Sequence, residues 1–458
     1  MKARLEKAVI AGLLAAVVFT ALAHGAVESW AVAIFELIIV ALLLLWGAKM
    51  ITEGNIKISI PNLAWPLIAL LIFGILQSIS ITGDDGRRIS LSLDVEATRA
   101  TTLVLFFLVV CFIMAASLFQ SRERLNLLAN FLIIYGAALA AFALVQYFTW
   151  NGRFYWLRPL TAHNATPFGP FVNRNHFAGY MELLAPLPVA LAITKAARRD
   201  ARLFHLFAAV IMSLAAIVSL SRGGMISLAS ELAFITVLGR RGREGNKKSN
   251  SRLIPFSPSP LLILTLAVAA GIIWIGPGLI VDRLAQTNRS DGQVETFYAS
   301  RGWIWRETLS IIEANPISGV GLGAYETAFP IYSGDDGMKA VGKSFAVDRA
   351  HNDYLQILSE GGIIAGAIVL WFILVFFRSV RQAMRSSDPL VRGFALGGSG
   401  GIVGMLVHSL FDFNLQLPSN ALLFLLLASI VSQLAALERE RAAPPEVNLS
   451  RPLLVTGV

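Results

Sequence analysis

A succession of apolar runs, each close to twenty residues, constrains this chain more than any other feature. A helix of about 20 apolar residues spans the ~30 Å hydrocarbon core of a bilayer, and lipid demands that every backbone polar group be satisfied within the span. Twelve such runs are read near 8–27, 30–48, 62–80, 101–119, 127–149, 175–194, 203–220, 224–238, 260–280, 361–377, 393–411 and 418–436. Only 15% of the 458 residues are charged, against roughly 25% in soluble domains. The expected fold class is therefore an all-α polytopic membrane protein with about 12 transmembrane helices. The first run follows a basic "MKARLEK" without a convincing cleavage site, so it reads as an anchor that stays. The single cysteine, Cys111, sits in an apolar run and excludes an intramolecular disulfide.

Charge orients the spans. With the N-terminus inside, the inner loops collect most of the Lys and Arg, among them the run "GRRGREGNKKSNSR" (239–252). Twelve spans put both termini on that inner side. The net charge of +9 is then mainly a topology signal. Nucleic acid is not an expected partner, because no aromatic residues interleave the basic run. The resulting division is helices 1–9 over 1–280, one large outer loop over 281–360, helices 10–12 over 361–437 and an inner tail over 438–458. Short helices are expected inside the large loop, which is too long and too patterned for a passive linker.

The outer surface gathers the reactive residues. In "YASRGWIWRETLSIIEANP", Ser300 reads as an N-cap and Asn315-Pro316 as the helix end. Trp303 and Trp305 suit a helix lying at the headgroups. Arg301 then falls in the first turn, where the helix dipole disfavours a cation. It is either a solvated, snorkelling arginine or one that shares an anion with nearby backbone N–H groups. Gly319, Gly321 and Gly323 lack the strand and the Lys-Ser/Thr of a nucleotide loop, and read as a tight turn that lets backbones approach.

In "RAHNDYLQILSEGG", His351 opens a helix that Gly361-Gly362 kinks. An imidazolium in a first turn is disfavoured, which suits a neutral proton acceptor; the plainer reading is a polar residue marking a helix start. Arg222 in "SLSRGGMISL" is a cation at the outer end of the seventh span. Asn173, Arg174, Asn175 and His176 stand at the outer start of the sixth. Snorkelling explains each cluster singly, but four such clusters face one side.

No HExxH is present, and no metal or cofactor is expected. The two "GDDG" stretches, 83–86 and 334–337, read as exposed turns, with a weak divalent site as the alternative. Glu36, Glu182 and Glu231 lie in or near spans and are favoured as interhelical hydrogen-bond partners over proton relays.

Together, "FVNRNHFAGYMELLAPL", "SLSRGGMISL", "RGWIWRETLSIIEANPISGVGLGAYE" and "AHNDYLQILSEGGIIAGAI" resemble the O-antigen ligase family, within the ligase/polymerase superfamily of bacterial membrane glycosyltransferases. The resemblance implies a GT-C-type, metal-independent, inverting transferase of the inner (cytoplasmic) membrane, with its active site and large loop facing the periplasm. The donor would be a glycan on undecaprenyl diphosphate. The acceptor would be lipid A–core in a ligase, another repeat unit in a polymerase, or protein in an oligosaccharyltransferase. By the family's pattern Arg222 and Arg301 would engage the diphosphate and His351 would be the essential histidine. Asn175, His176 and Arg174 would lie in a substrate-binding region. Ligation is favoured. A twelve-helix transporter or lipid-glycan flippase is the alternative from another class, weakened by the lack of a visible internal repeat.

Overall fold

The apolar runs fold as helices. A computed structural model describes residues 2–82, 88–159, 166–196, 198–244, 266, 268–270, 297–333 and 347–442. The first part of the chain forms α1 (Lys2–Leu22), α2 (Ser29–Glu53), α3 (Ala64–Gln77), α4 (Val95–Leu118) and α5 (Arg122–Phe148). There follow α6 (Arg174–Leu184), α7 (Pro186–Ile193), α8 (Arg199–Val218) and α9 (Arg222–Glu244). The last part forms α10 (Phe297–Ala314), α11 (Tyr325–Tyr332), α12 (Asp353–Ala383), α13 (Pro389–His408) and α14 (Pro418–Ala442). Two small antiparallel hairpins complete the set. One pairs β1 (Ser80–Thr82) with β2 (Arg88–Ser90), and the other pairs β3 (Arg153–Phe154) with β4 (Arg158–Pro159).

Among the described residues, nine helices are long and apolar enough to cross a membrane, with α6 and α7 together making one of them. The chain is thus an all-α polytopic membrane protein. The expected third span is the shorter α3, which stops at a buried Gln77. That side chain donates to the carbonyls of Ser318 (2.7 Å) and Glu360 (3.0 Å) and accepts from Leu322 N–H (3.1 Å). The expected eighth span is helical as α9, but carries Arg222 and Glu231 and is not among the nine. Most of the expected ninth span, both "GDDG" stretches and parts of the large loop and tail lie outside the described residues.

The membrane core is built around α14, which is buried along most of its length against α4, α12, α13 and α1. Phe372 of α12 stacks on Phe424 of α14 with centroids 6.0 Å apart. Cys111 is buried in this core. A second, smaller core joins α10 and α11 through Ile304, Ile311, Val320, Tyr325, Phe329 and Ala350.

The glycine turn behaves as its spacing predicts. Gly319, Gly321 and Gly323 all have positive φ, at 66°, 111° and 82°. Val320 and Gly321 donate backbone N–H groups to the carbonyls of Ser359 (3.0 Å) and Glu360 (2.9 Å). A Cβ on Gly319 would sit 2.3 Å from the Glu360 carbonyl carbon, so the two backbones touch. The kink is at Gly362, with φ 58° and ψ −158°.

Three local expectations are corrected. Helix α10 already includes Phe297, so Ser300 is inside it and does not cap it, and Arg301 lies beyond the first turn. Trp303 and Trp305 turn into the protein: the first packs edge-on against Phe329 at 5.4 Å, and the second donates Nε1–H to the Ala350 carbonyl at 3.0 Å. For Trp305 the indole N–H is satisfied on a fixed carbonyl, and for Trp303 the ring packs into the small core of α10 and α11. His351 precedes α12 and is not in its first turn, because Asn352 takes the N-cap and accepts from Tyr354 N–H (3.0 Å) and Leu355 N–H (3.1 Å).

Candidate functional site

One buried carboxylate organises the site. After α13 the chain makes a further turn, with Phe411 and Asp412 donating N–H to the His408 carbonyl at 2.8 and 3.1 Å. Asp353, at the start of α12, holds this turn in place. Its backbone N–H donates to the Ser409 carbonyl (2.9 Å), and its Oδ2 accepts from Ser409 Oγ (2.7 Å) and Leu415 N–H (3.3 Å). Asn352 Nδ2 donates to the Leu410 carbonyl at 3.1 Å. The two helix ends are therefore joined by bonds that aim Asp412 at the residues before α12.

Four side chains from three other segments meet that aspartate. Asn175 Nδ2 donates to Asp412 Oδ2 at 2.6 Å. His351 Nδ1 lies 3.3 Å from Oδ1, Arg301 3.6 Å from Oδ2, and His176 Nε2 3.9 Å from Oδ1. Phe413 N–H also donates to Oδ1, at 3.0 Å. The Phe413 ring is flanked by both imidazoles, with centroids 4.7 Å from His176 and 4.9 Å from His351. Arg301 and His176 are buried, while the His351 side chain keeps 28% exposure.

Burial by itself pushes the Asp412 pKa up. The hydrogen bond from His351 and the charges of His176, His351 and Arg301 outweigh it, and the carboxyl is held well below the usual carboxylate range. An ionised Asp412 fixes the tautomer of its neighbour: Nδ1–H donates to the carboxylate, and the lone pair of the neutral ring is on Nε2. The backbone of His351 is held in the left-handed region, φ 50°. A non-glycine residue pays roughly 1–2 kcal/mol for that conformation, and strain of this kind concentrates where a side chain must be aimed. Ala350 is anchored on both sides to hold it, its N–H donating to Gln356 Oε1 (2.7 Å) and its carbonyl accepting from Trp305.

Arg222 opens α9 at the same end of the bundle. The next residue, Gly223, is pressed on the His408 ring, where a Cβ would lie 2.7 Å from Cδ2 and 3.6 Å from the Phe411 Cβ. Arg222 thus borders the turn that carries Asp412. Arg174 is directed differently from Asn175 and His176. It lines a cavity of about 630 Å³ with Tyr147, Trp150, Phe168 and Leu220. Asn173 caps α6, accepting from Asn175 N–H at 2.9 Å. Among the described residues no three His, Cys, Asp or Glu side chains are grouped to hold a metal ion.

Of the residues singled out in the sequence, Arg301, His351, Asn175 and His176 converge on one point. Asp412 was missed. It stands at the outer end of the expected eleventh span, in "HSLFDFNLQLP", and an acid flanked by aromatic residues at a span end was the available signal.

The fold and site define a class: a multi-pass membrane protein with a buried arginine–aspartate–histidine cluster at one end of its helix bundle. Residues 207–370 match the family described as O-antigen ligase. This match supports the O-antigen ligase family for the chain, and with it glycosyltransferase function of the ligase/polymerase type. The matched stretch contains Arg222, Arg301 and His351, whereas Asn175, His176 and Asp412 lie outside it. No curated protein matches the chain.

Proposed function

We propose that the protein transfers a glycan from undecaprenyl diphosphate to an acceptor hydroxyl on the periplasmic face, with lipid A–core as the favoured acceptor. The observation that carries this reading is the hydrogen bond between His351 and the buried Asp412, beside Arg301.

Asp412 holds Nδ1–H, so Nε2 of His351 accepts the proton of the acceptor hydroxyl. The hydroxyl oxygen attacks the anomeric carbon as its bond to the diphosphate oxygen breaks, inverting the configuration. The proton resides on His351, next to the Asp412 carboxylate that stabilises it. General-base help of this kind contributes about 10²–10⁴-fold. Arg301 and Arg222 bind the diphosphate as its negative charge grows, through fixed guanidinium donors. Lipid-facing grooves between helices hold the prenyl chain, and membrane lipids surround the whole. The active site faces the periplasm and both termini face the cytoplasm. The large loop over 281–360 carries Arg301 and His351 to the donor.

The test is transfer in reconstituted membranes from a polyprenyl-diphosphate-linked glycan, offered lipid A–core or a second repeat unit. Arg222→Ala, Arg301→Ala and His351→Ala each lose transfer if the reading is right. Full activity in all three would sink it. Product on the repeat unit and none on lipid A–core makes the protein a polymerase.

A further inference from the structure

A second charged site lies at the opposite end of the bundle. There the last turns of α12 and α14 flank a cavity of about 520 Å³ lined by Arg378, Arg381, Gln382, Arg385, Glu438 and Arg439. Four guanidinium groups share it with one carboxylate, an excess of three positive charges. Three other cations at this end lie beside acids. Lys49 is 3.0 Å from Glu6 and 3.6 Å from Glu53, Arg124 pairs with Glu6, and Arg122 pairs with Asp388. The dipole of α12 favours a cation in its last turn, which accounts for Arg381 but not for four arginines around one space.

The surface above the cavity says what fills it. Leu370, Trp371 and Leu374 are 56%, 43% and 50% exposed on α12. In a membrane-spanning helix such a stripe faces lipid. Arg378 follows Leu374 by four residues and Trp371 by seven, and Arg381 follows Leu374 by seven, so these arginines continue the same helix face. Seven residues advance about 10 Å along the axis, which carries the chain from hydrocarbon into the headgroup layer. An occupant with an anionic head in the cavity and acyl chains along Leu370, Trp371 and Leu374 satisfies both surfaces. A soluble phosphate satisfies only the first.

We infer that this cavity binds an anionic phospholipid, and that a headgroup with two phosphates, as in diphosphatidylglycerol, fits its charge best. The site is independent of the glycan-transfer reading.

Native mass spectrometry of the full-length protein in neutral detergent tests it, with diphosphatidylglycerol and phosphatidylcholine titrated separately. Diphosphatidylglycerol is retained and phosphatidylcholine is not. The triple variant Arg378→Gln/Arg381→Gln/Arg385→Gln binds it roughly 100-fold more weakly, from about fivefold per arginine. Arg122→Gln, a charge removed elsewhere at the same end, leaves retention unchanged. If the triple variant fails to fold, Arg439→Gln on α14 alone still weakens retention several-fold. Undiminished retention in the arginine variants overturns the inference. So does equal thermal stabilisation by inorganic pyrophosphate at matched phosphate concentration, which would make the site one for a soluble anion.

Discussion

At the scale of single residues, Asp412 decides what the neighbouring groups can do. Asp412→Asn keeps the shape of the side chain and removes its charge. An amide can donate as well as accept, so the tautomer of His351 is no longer fixed, and the protonated ring loses its stabilising anion. Transfer falls by roughly 10²–10⁴-fold in kcat with a much smaller change in KM, read from initial rates. A stability effect accompanies this. The folded Asp412 carboxyl lies below its ordinary value, so its stabilisation is complete above about pH 4 and is lost as pH falls toward the folded value. The gap in melting temperature between the parent protein and Asp412→Asn therefore narrows below about pH 4.

At the scale of elements, the site depends on segments that meet backbone to backbone. The glycine turn after α10 lies on the kink in α12, and this contact supports the chain between Arg301 and His351. Gly319→Ala puts a Cβ 2.3 Å from a backbone carbon at a φ of 66°. Neither backbone has a flexible end that can yield. The expected cost exceeds about 2 kcal/mol, combining roughly 1–2 kcal/mol for the conformation with the overlap. A lowered melting temperature in detergent checks this. Much at this scale was legible in the sequence, including the glycine turn, the kink at Gly361-Gly362 and the end of α10 at Asn315-Pro316. The start of α10 is earlier than expected, because a plausible capping residue such as Ser300 does not reveal helix lying before it, and α12 starts two residues later than expected, because Asn352 takes the cap.

At the scale of the whole molecule, buried polar pairs tie distant helices together. His408, the last residue of α13, has Nδ1 3.1 Å from both carboxylate oxygens of Glu182 on α6, and both side chains are fully buried. The pair joins the helix that starts with Asn175 and His176 to the turn that carries Asp412. Glu182→Ala leaves the imidazole without this partner, at a cost of about 1–3 kcal/mol. It is expected to lower the unfolding midpoint and to reduce transfer in the same samples, whereas Glu182→Gln, which can still accept from Nδ1–H, recovers most of both. Unchanged melting in Glu182→Ala would remove the pair from this role. Glu182 thus serves as an interhelical hydrogen-bond partner, as its place within a span suggests.

The sequence alone determined that the chain is a helical membrane protein, because apolar length and scarce charge leave lipid-spanning helices as the economical fold. It also picked out Asn175 and His176 as polar residues at a span end, and Arg301 and His351 as a cation and an imidazole at expected helix starts in the outer loop. Only the tertiary structure decided that these four meet on one carboxylate. Asp412 is 61 residues from His351, 111 from Arg301 and 237 from Asn175. Neither periodicity nor local propensity carries information over such separations. The meeting is produced by the packing of α6, α12 and α13 around α14, and by the turn that Asp353 pins between two helix ends.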